Sequence, residues 1–183
     1  PRQSGEPVVY QLVPEAERAW QAGVSHWNGR EQINDTSIGI EIVNQGPGDT
    51  NRLVQWYPFA DGQIDAVIAL ARDIVARYDI APANVVGHSD IAPGRKIDPG
   101  PLFPWQRLHA AGVGAWPDAN LVAQYQRRFV TNPPSLYQTQ VKLAHYGYDI
   151  SATGTMDAQT KRVLRAFQMH FRPSDYNGYL NAE

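Results

Sequence analysis

The chain has 183 residues, 43% of them apolar, a formal net charge of -2 and no cysteine. That length holds one ordinary domain with a small companion, and the missing thiols exclude disulfides and cysteine ligands, so any metal must be held by histidine and carboxylate. A pI near 6.2 argues against a general binder of nucleic acid or anionic membrane, and no apolar run approaches the roughly 18 residues of a membrane span.

In chain order, residues 1–5 read as a loop and residues 8–13 as a short β-rich run ended by Pro14. Residues 15–20 suit one helical turn, broken at Ala22-Gly23, and Asn28-Gly29 is a strong turn signal. Ile38, Ile40 and Ile42 then alternate with Gly39, Glu41 and Val43, the period of a strand. Glu41 falls on the face opposite the isoleucines, where it either meets water or is buried and works as a paired or acid–base group. Residues 45–51 form a polar, glycine-rich loop.

From residue 63 to residue 78 the period changes, and Ile64, Val67, Ile68, Ala71, Ile74, Val75 and Tyr78 share one helical face, with Asp61 a candidate cap. An apolar run, Val85-Val86, next delivers His88 to the end of an expected strand. The loop beyond it carries Asp90, Arg95, Lys96 and Asp98 among Pro93, Gly94, Pro99 and Gly100. Such loops fix side chains without regular structure. His88 and Asp98 either converge on a metal or are a buried histidine and an Asp-Pro-Gly turn. Asp90 and Arg95 either face a ligand or brace the loop.

Residues 105–111 suit a short helix closed by Gly112-Val113-Gly114, and residues 120–129 are weakly amphipathic. Pro133-Pro134 interrupts any helix. Beyond it, Val163, Leu164, Ala166, Phe167 and Phe171 keep a helical period in a small helical module.

Several of these segments, taken together and in this order, resemble a known family. Gln11-Leu12-Val13-Pro14-Glu15, Arg18-Ala19-Trp20, the run from Asn34 to Glu41, and residues 88–101 are similar to the zinc-dependent N-acetylmuramoyl-L-alanine amidases of the second amidase family, in its AmiD-like branch. Residues 136–183, with Tyr146-Gly147-Tyr148 and the run Ala166 to Phe171, resemble the peptidoglycan-binding module of that branch. The resemblance implies a mixed α/β (α+β) fold with a central sheet flanked by helices, then a small helical domain. The implied boundaries are residues 1–117 for the amidase part, 118–134 for a linker and 135–183 for the wall-binding module.

It further implies Zn2+ as cofactor, with His88 and Asp98 as metal ligands and a third ligand, a histidine, upstream of residue 1. Glu41 and Lys96 are implied as catalytic groups, and Trp20 and Arg95 as substrate contacts. Gln21 and Gln32 stand where relatives carry His and Arg. The implied reaction is hydrolysis of the amide between N-acetylmuramic acid and L-alanine in peptidoglycan or muropeptides. The implied setting is the periplasm, on an outer-membrane lipid anchor. A non-catalytic peptidoglycan-binding protein on the same fold is the alternative.

Overall fold

The computed structural model describes residues 6–50 and 53–183. The loops expected at residues 1–5 and at the end of residues 45–51 lie wholly or partly outside them. The class is mixed α/β with a helical C-terminal part, as expected. The β content among the described residues is two separate antiparallel pairs. The strands β1 (His26–Trp27) and β2 (Arg30–Glu31) are joined by Asn28-Gly29, both at positive φ (51° and 73°), the geometry for which Asn-Gly is suited. The second pair is β3 (Gly48–Thr50), inside the stretch read as a loop, with β4 (Leu53–Gln55) just beyond it.

Three expected strands are not formed. Residues 8–13 and 38–43 carry no ladder; Leu12 is 82% and Val43 85% exposed, while Ile42 packs against the core that holds Ile64 and Val67. Alternation predicts a strand only if a neighbouring strand accepts its hydrogen bonds, and among the described residues no strand pairs with either segment. Residues 85–87 are likewise unpaired, and His88 opens a helix instead of ending a strand. Residues 15–20 make turns and no helix.

The helices follow their periods. α1 (Asp61–Tyr78) buries Ile64, Val67, Ala71 and Ile74. Its cap is Ala60, whose N–H donates to the Gln63 side chain at 3.2 Å, while Asp61 sits inside the first turn, where a negative charge suits the helix dipole. α2 (His88–Ile91) is a single turn and α3 is Trp105–Ala110. α4 (Ala119–Thr131) fills most of the stretch read as a linker and buries no residue, so it is a helix without a packed face. α5 (Leu136–Tyr146) starts at a reciprocal Ser135/Gln138 capping box, and α6 (Ala158–Phe171) at the Asp157 cap.

The C-terminal helices do not stand apart. One core joins Trp27, Ile33, Ile91 and Ala92 of the N-terminal part to Leu143, Tyr148, Val163 and Leu164. Trp27, 2% exposed, donates from Nε1 to the Ala83 carbonyl at 3.1 Å and meets the rings of Tyr146 and Tyr148 edge-on. The Asn28 N–H donates to the Gly147 carbonyl at 2.8 Å, and the Trp27 ring occupies the space a Cβ on Gly147 would need. A second core packs α1 against Phe103, Trp105, Leu108 and Val113.

Away from these cores, Arg77 and Tyr78 at the end of α1 hold Glu15 of the N-terminal segment, Arg77 through both Nη groups at 2.6 and 2.7 Å and Tyr78 through its hydroxyl at 2.7 Å. These bonds pull the Glu15 carboxyl down from 4.5 to about 2. Because the folded value is the lower one, the stabilisation is whole above pH 4.5 and lost as pH falls through about 2.

Two outcomes follow from this packing. Trp27→Ala should cost about 3–5 kcal/mol of stability, read by urea unfolding, and lower the midpoint of a single transition. In Glu15→Gln, the fall of melting temperature between pH 4.5 and pH 2 should be shallower than in the parent, as a thermal scan at each pH would record.

Candidate active site

The loop of residues 88–101 begins where Gly87 caps α2, the helix whose first residue is His88. The Ser89 N–H donates to the Asp98 carbonyl at 2.9 Å, so the two ends of the loop are tied together by backbone. That tie brings the side chains together as well. His88 Nδ1 donates to Asp98 Oδ2 at 3.0 Å, and His88 Nε2 lies 3.0 Å from the Ala22 carbonyl oxygen. The hydrogen bond from His88 holds the Asp98 carboxyl below its usual value, against an opposing push from partial burial. The His88 side chain is 16% exposed and that of Asp98 57%, so the pair opens to solvent on the aspartate side.

Two donors about 2.0–2.1 Å from a tetrahedral zinc stand about 3.3 Å apart. The imidazole and carboxylate therefore fit such an ion in kind and in spacing. Catalytic zinc takes three protein ligands, and among the described residues no third histidine, cysteine or carboxylate joins these two.

The other expected residues surround the pair to different degrees. Arg95 donates from Nη2 to the Ala22 carbonyl at 2.7 Å and lies against Gly23, so it braces the segment that His88 also touches. Lys96 is half-buried on the same loop, its N–H bonded to the Ala92 carbonyl. Trp20 is 77% exposed, with the Arg18 guanidinium 3.9 Å over its ring. Glu41 is exposed, so its carboxylate meets water rather than a buried partner. Its segment passes close by, since Gly39 packs on the Gln21 side chain, and the Gln63 side chain anchors Val43 at 2.8 Å. Gln21 itself donates to Ser37 Oγ at 2.9 Å.

Sequence reasoning left Asp90 open, and the structure makes it a brace: 1% exposed, it accepts from the Gly87 N–H, the Tyr148 hydroxyl and His170. It also missed the Ala22 carbonyl, a backbone group with no side-chain signature.

Comparison with known proteins places this loop in context. The family model described as N-acetylmuramoyl-L-alanine amidase matches residues 2–101, and that described as a putative peptidoglycan binding domain matches residues 132–183. The chain belongs to the N-acetylmuramoyl-L-alanine amidase family. Over 184 aligned positions it is 52% identical to the N-acetylmuramoyl-L-alanine amidase AmiD of Escherichia coli K12, covering 100% of this chain and 66% of AmiD. It is 47% identical over 109 positions to the 1,6-anhydro-N-acetylmuramyl-L-alanine amidase AmpD of Enterobacter cloacae, covering 60% of this chain and 52% of AmpD.

Among solved structures, the E. coli AmiD complex with anhydro-N-acetylmuramic acid-L-Ala-D-gamma-Glu-L-Lys matches with a TM-score of 0.86 at 50% identity, covering 100% of this chain and 71% of that one. AmpDh3 of Pseudomonas aeruginosa, in complex with an anhydromuramic pentapeptide, matches with a TM-score of 0.88 at 47% identity, covering 94% and 68%. This amidase chain thus spans about two thirds of the length of AmiD and half that of AmpD.

In the metal-free protein, a carbon-13 NMR titration should place the Asp98 carboxyl below 3.8, and His88→Ala should move it upward, because the largest cause of the shift is removed.

Proposed function

We propose that this protein is a zinc-dependent hydrolase of the amide between N-acetylmuramic acid and L-alanine in muropeptides and peptidoglycan. The observation that carries the reading is the His88–Asp98 pair, set 3.0 Å apart on a loop whose backbone ties its ends together. Support comes also from the ligand of the AmiD complex, a muramyl peptide beginning with L-alanine.

His88 and Asp98 would hold the zinc with a third ligand from outside the described residues. When bound, the ion supplies a Lewis acid for the amide carbonyl and a water acidic enough to react near neutral pH. The chain's own groups complete the chemistry. The Glu41 carboxylate takes the proton of the attacking water and returns it to the departing alanine amine, a role its exposure on the segment beside Gln21 permits. The Lys96 ammonium stabilises negative charge gathering on the carbonyl oxygen. The exposed Trp20 face is a platform for the sugar. Arg95, with one Nη donor on Ala22, offers the rest of its fork to a stem-peptide carboxylate. The setting that fits this substrate is the periplasm, and the AmiD-like resemblance supports an outer-membrane lipid anchor.

The second reading, muropeptide binding without cleavage, is favoured by the presence of only two ligand side chains among the described residues.

Digestion of purified peptidoglycan by the full natural chain with added zinc separates the two. Chelator-sensitive release of peptides beginning with L-alanine, read by mass spectrometry, is the expected result. Glu41→Gln should keep bound zinc and lose about 100- to 10,000-fold in rate. Wall binding with no release supports the binding-only reading, and a Glu41→Gln variant as fast as the parent removes Glu41 from the mechanism.

A further inference from the structure

α2 is a four-residue helix, and a single turn cannot hold its own conformation. What holds it lies in the C-terminal unit. Asp90, third in the turn, accepts from the Gly87 N–H at 2.8 Å, from the Tyr148 hydroxyl at 2.6 Å and from His170 Nδ1 at 2.7 Å. Tyr148 follows α5 and His170 is in α6, and both are buried, at 2% and 4% exposure. His170 is clamped between the Trp105 ring at 3.9 Å and the Phe171 ring at 4.0 Å, both nearly parallel to it. Its Nε2 is buried without a partner among the described residues, which fixes the proton on Nδ1, facing Asp90.

A second contact runs from the C-terminal unit to the same loop, and a third reaches it through Trp56. The Arg162 side chain of α6 lies over Gly94, whose φ of 81° and lack of Cβ allow the approach. The Trp56 ring packs on Gly100 and its Nε1 donates to the Tyr176 hydroxyl at 2.9 Å. The C-terminal unit therefore touches the loop directly near its start and in its middle, and at its end holds the Trp56 ring that packs there. Packing alone would be served by apolar side chains at these buried positions, and a desolvated carboxylate is retained at a cost that only its three donors offset. What such an arrangement adds is orientation. The bonds to Asp90 fix the turn that begins with His88, and the Ser89 N–H carries that placement on to Asp98.

We propose that Tyr148 and His170 are positioning residues for the amidase reaction. They act through Asp90 on His88 and Asp98, so that the unit matched as wall-binding is also part of the scaffold of the active site. This rests on the zinc-amidase reading. A 1 Å displacement of a reacting group costs about 100-fold in rate, so loosening α2 has a kinetic consequence out of proportion to the contact removed.

The test uses the full natural chain and a soluble substrate, anhydro-N-acetylmuramic acid-L-Ala-D-gamma-Glu-L-Lys, so that anchoring to insoluble wall does not enter. Tyr148→Phe removes one oxygen and keeps the ring in the core. His170→Leu removes the second donor, and His170→Asn restores a donor at the δ position. The expected result is a kcat lowered about 10- to 100-fold in Tyr148→Phe and His170→Leu at unchanged KM, with partial recovery in His170→Asn. The His88 ring-nitrogen resonances of the metal-free protein should shift in the same variants. Parent-like kcat and parent-like His88 resonances in Tyr148→Phe and His170→Leu overturn the proposal. So does a loss confined to KM, which would make these residues substrate contacts. If the parent chain releases no peptide, the amidase reading has failed, and the His88 resonances alone decide whether the C-terminal unit positions the loop. Should His170→Leu fail to fold, Tyr148→Phe carries the decision.

Discussion

The Asp90 carboxylate is the interaction on which the arrangement of this molecule depends. At 1% exposure it is removed from water, and an unpaired charge there would be costly. Its three donors come from three places in the chain: Gly87 beside it, Tyr148 after α5 and His170 in α6. Satisfying one carboxylate therefore requires residues far apart in sequence to meet. That requirement links the loop of His88 and Asp98 to the C-terminal helices. Burial and proximity to Asp90 push the Tyr148 hydroxyl well above its usual value, so it remains a donor throughout the ordinary pH range.

The apolar packing around this bond agrees with it. Trp27 lies between the Ala83 carbonyl and the rings of Tyr146 and Tyr148, and Ile91 and Ala92, just after Asp90, share a core with Val163 and Leu164. Trp105 belongs to the other core, with α1, and stacks on His170. The two apolar clusters are thus joined through a histidine ring that also holds the carboxylate. Breaking a buried polar group of this kind loses both its hydrogen bond and the packing around it. α4 is the opposite case: it has a good cap at Asp118 and no buried residue, so local signals alone account for it.

The site itself divides in the same way. His88 and Asp98 are close because a short backbone path, Ser89 to Asp98, closes their loop. The Ala22 carbonyl, from a segment more than sixty residues earlier, and Arg95, on the loop itself, complete the surroundings of His88. Trp20 and Glu41 are exposed to water. Two separate family models cover the loop and the C-terminal unit, yet in the folded chain the two share one apolar core.

Sequence by itself determined the features whose causes are local. Asn28-Gly29 gives the tight hairpin, the spacing from Ile64 to Ile74 gives α1, Ser135 and Asp157 give the starts of α5 and α6, and the Pro-Gly loop with His88 and Asp98 identifies the candidate site. Only the tertiary structure decided the rest. The alternation at residues 38–43 contained a strand's pattern, but a strand exists only with a neighbour to accept its hydrogen bonds. Asp90 read as a loop aspartate and nothing in its helix singled out His170, because a hydrogen bond across 80 positions leaves no periodic trace in either segment. Periodicity reports what one element does with its own faces; what a buried charge requires is settled by whichever distant donors the fold brings to it.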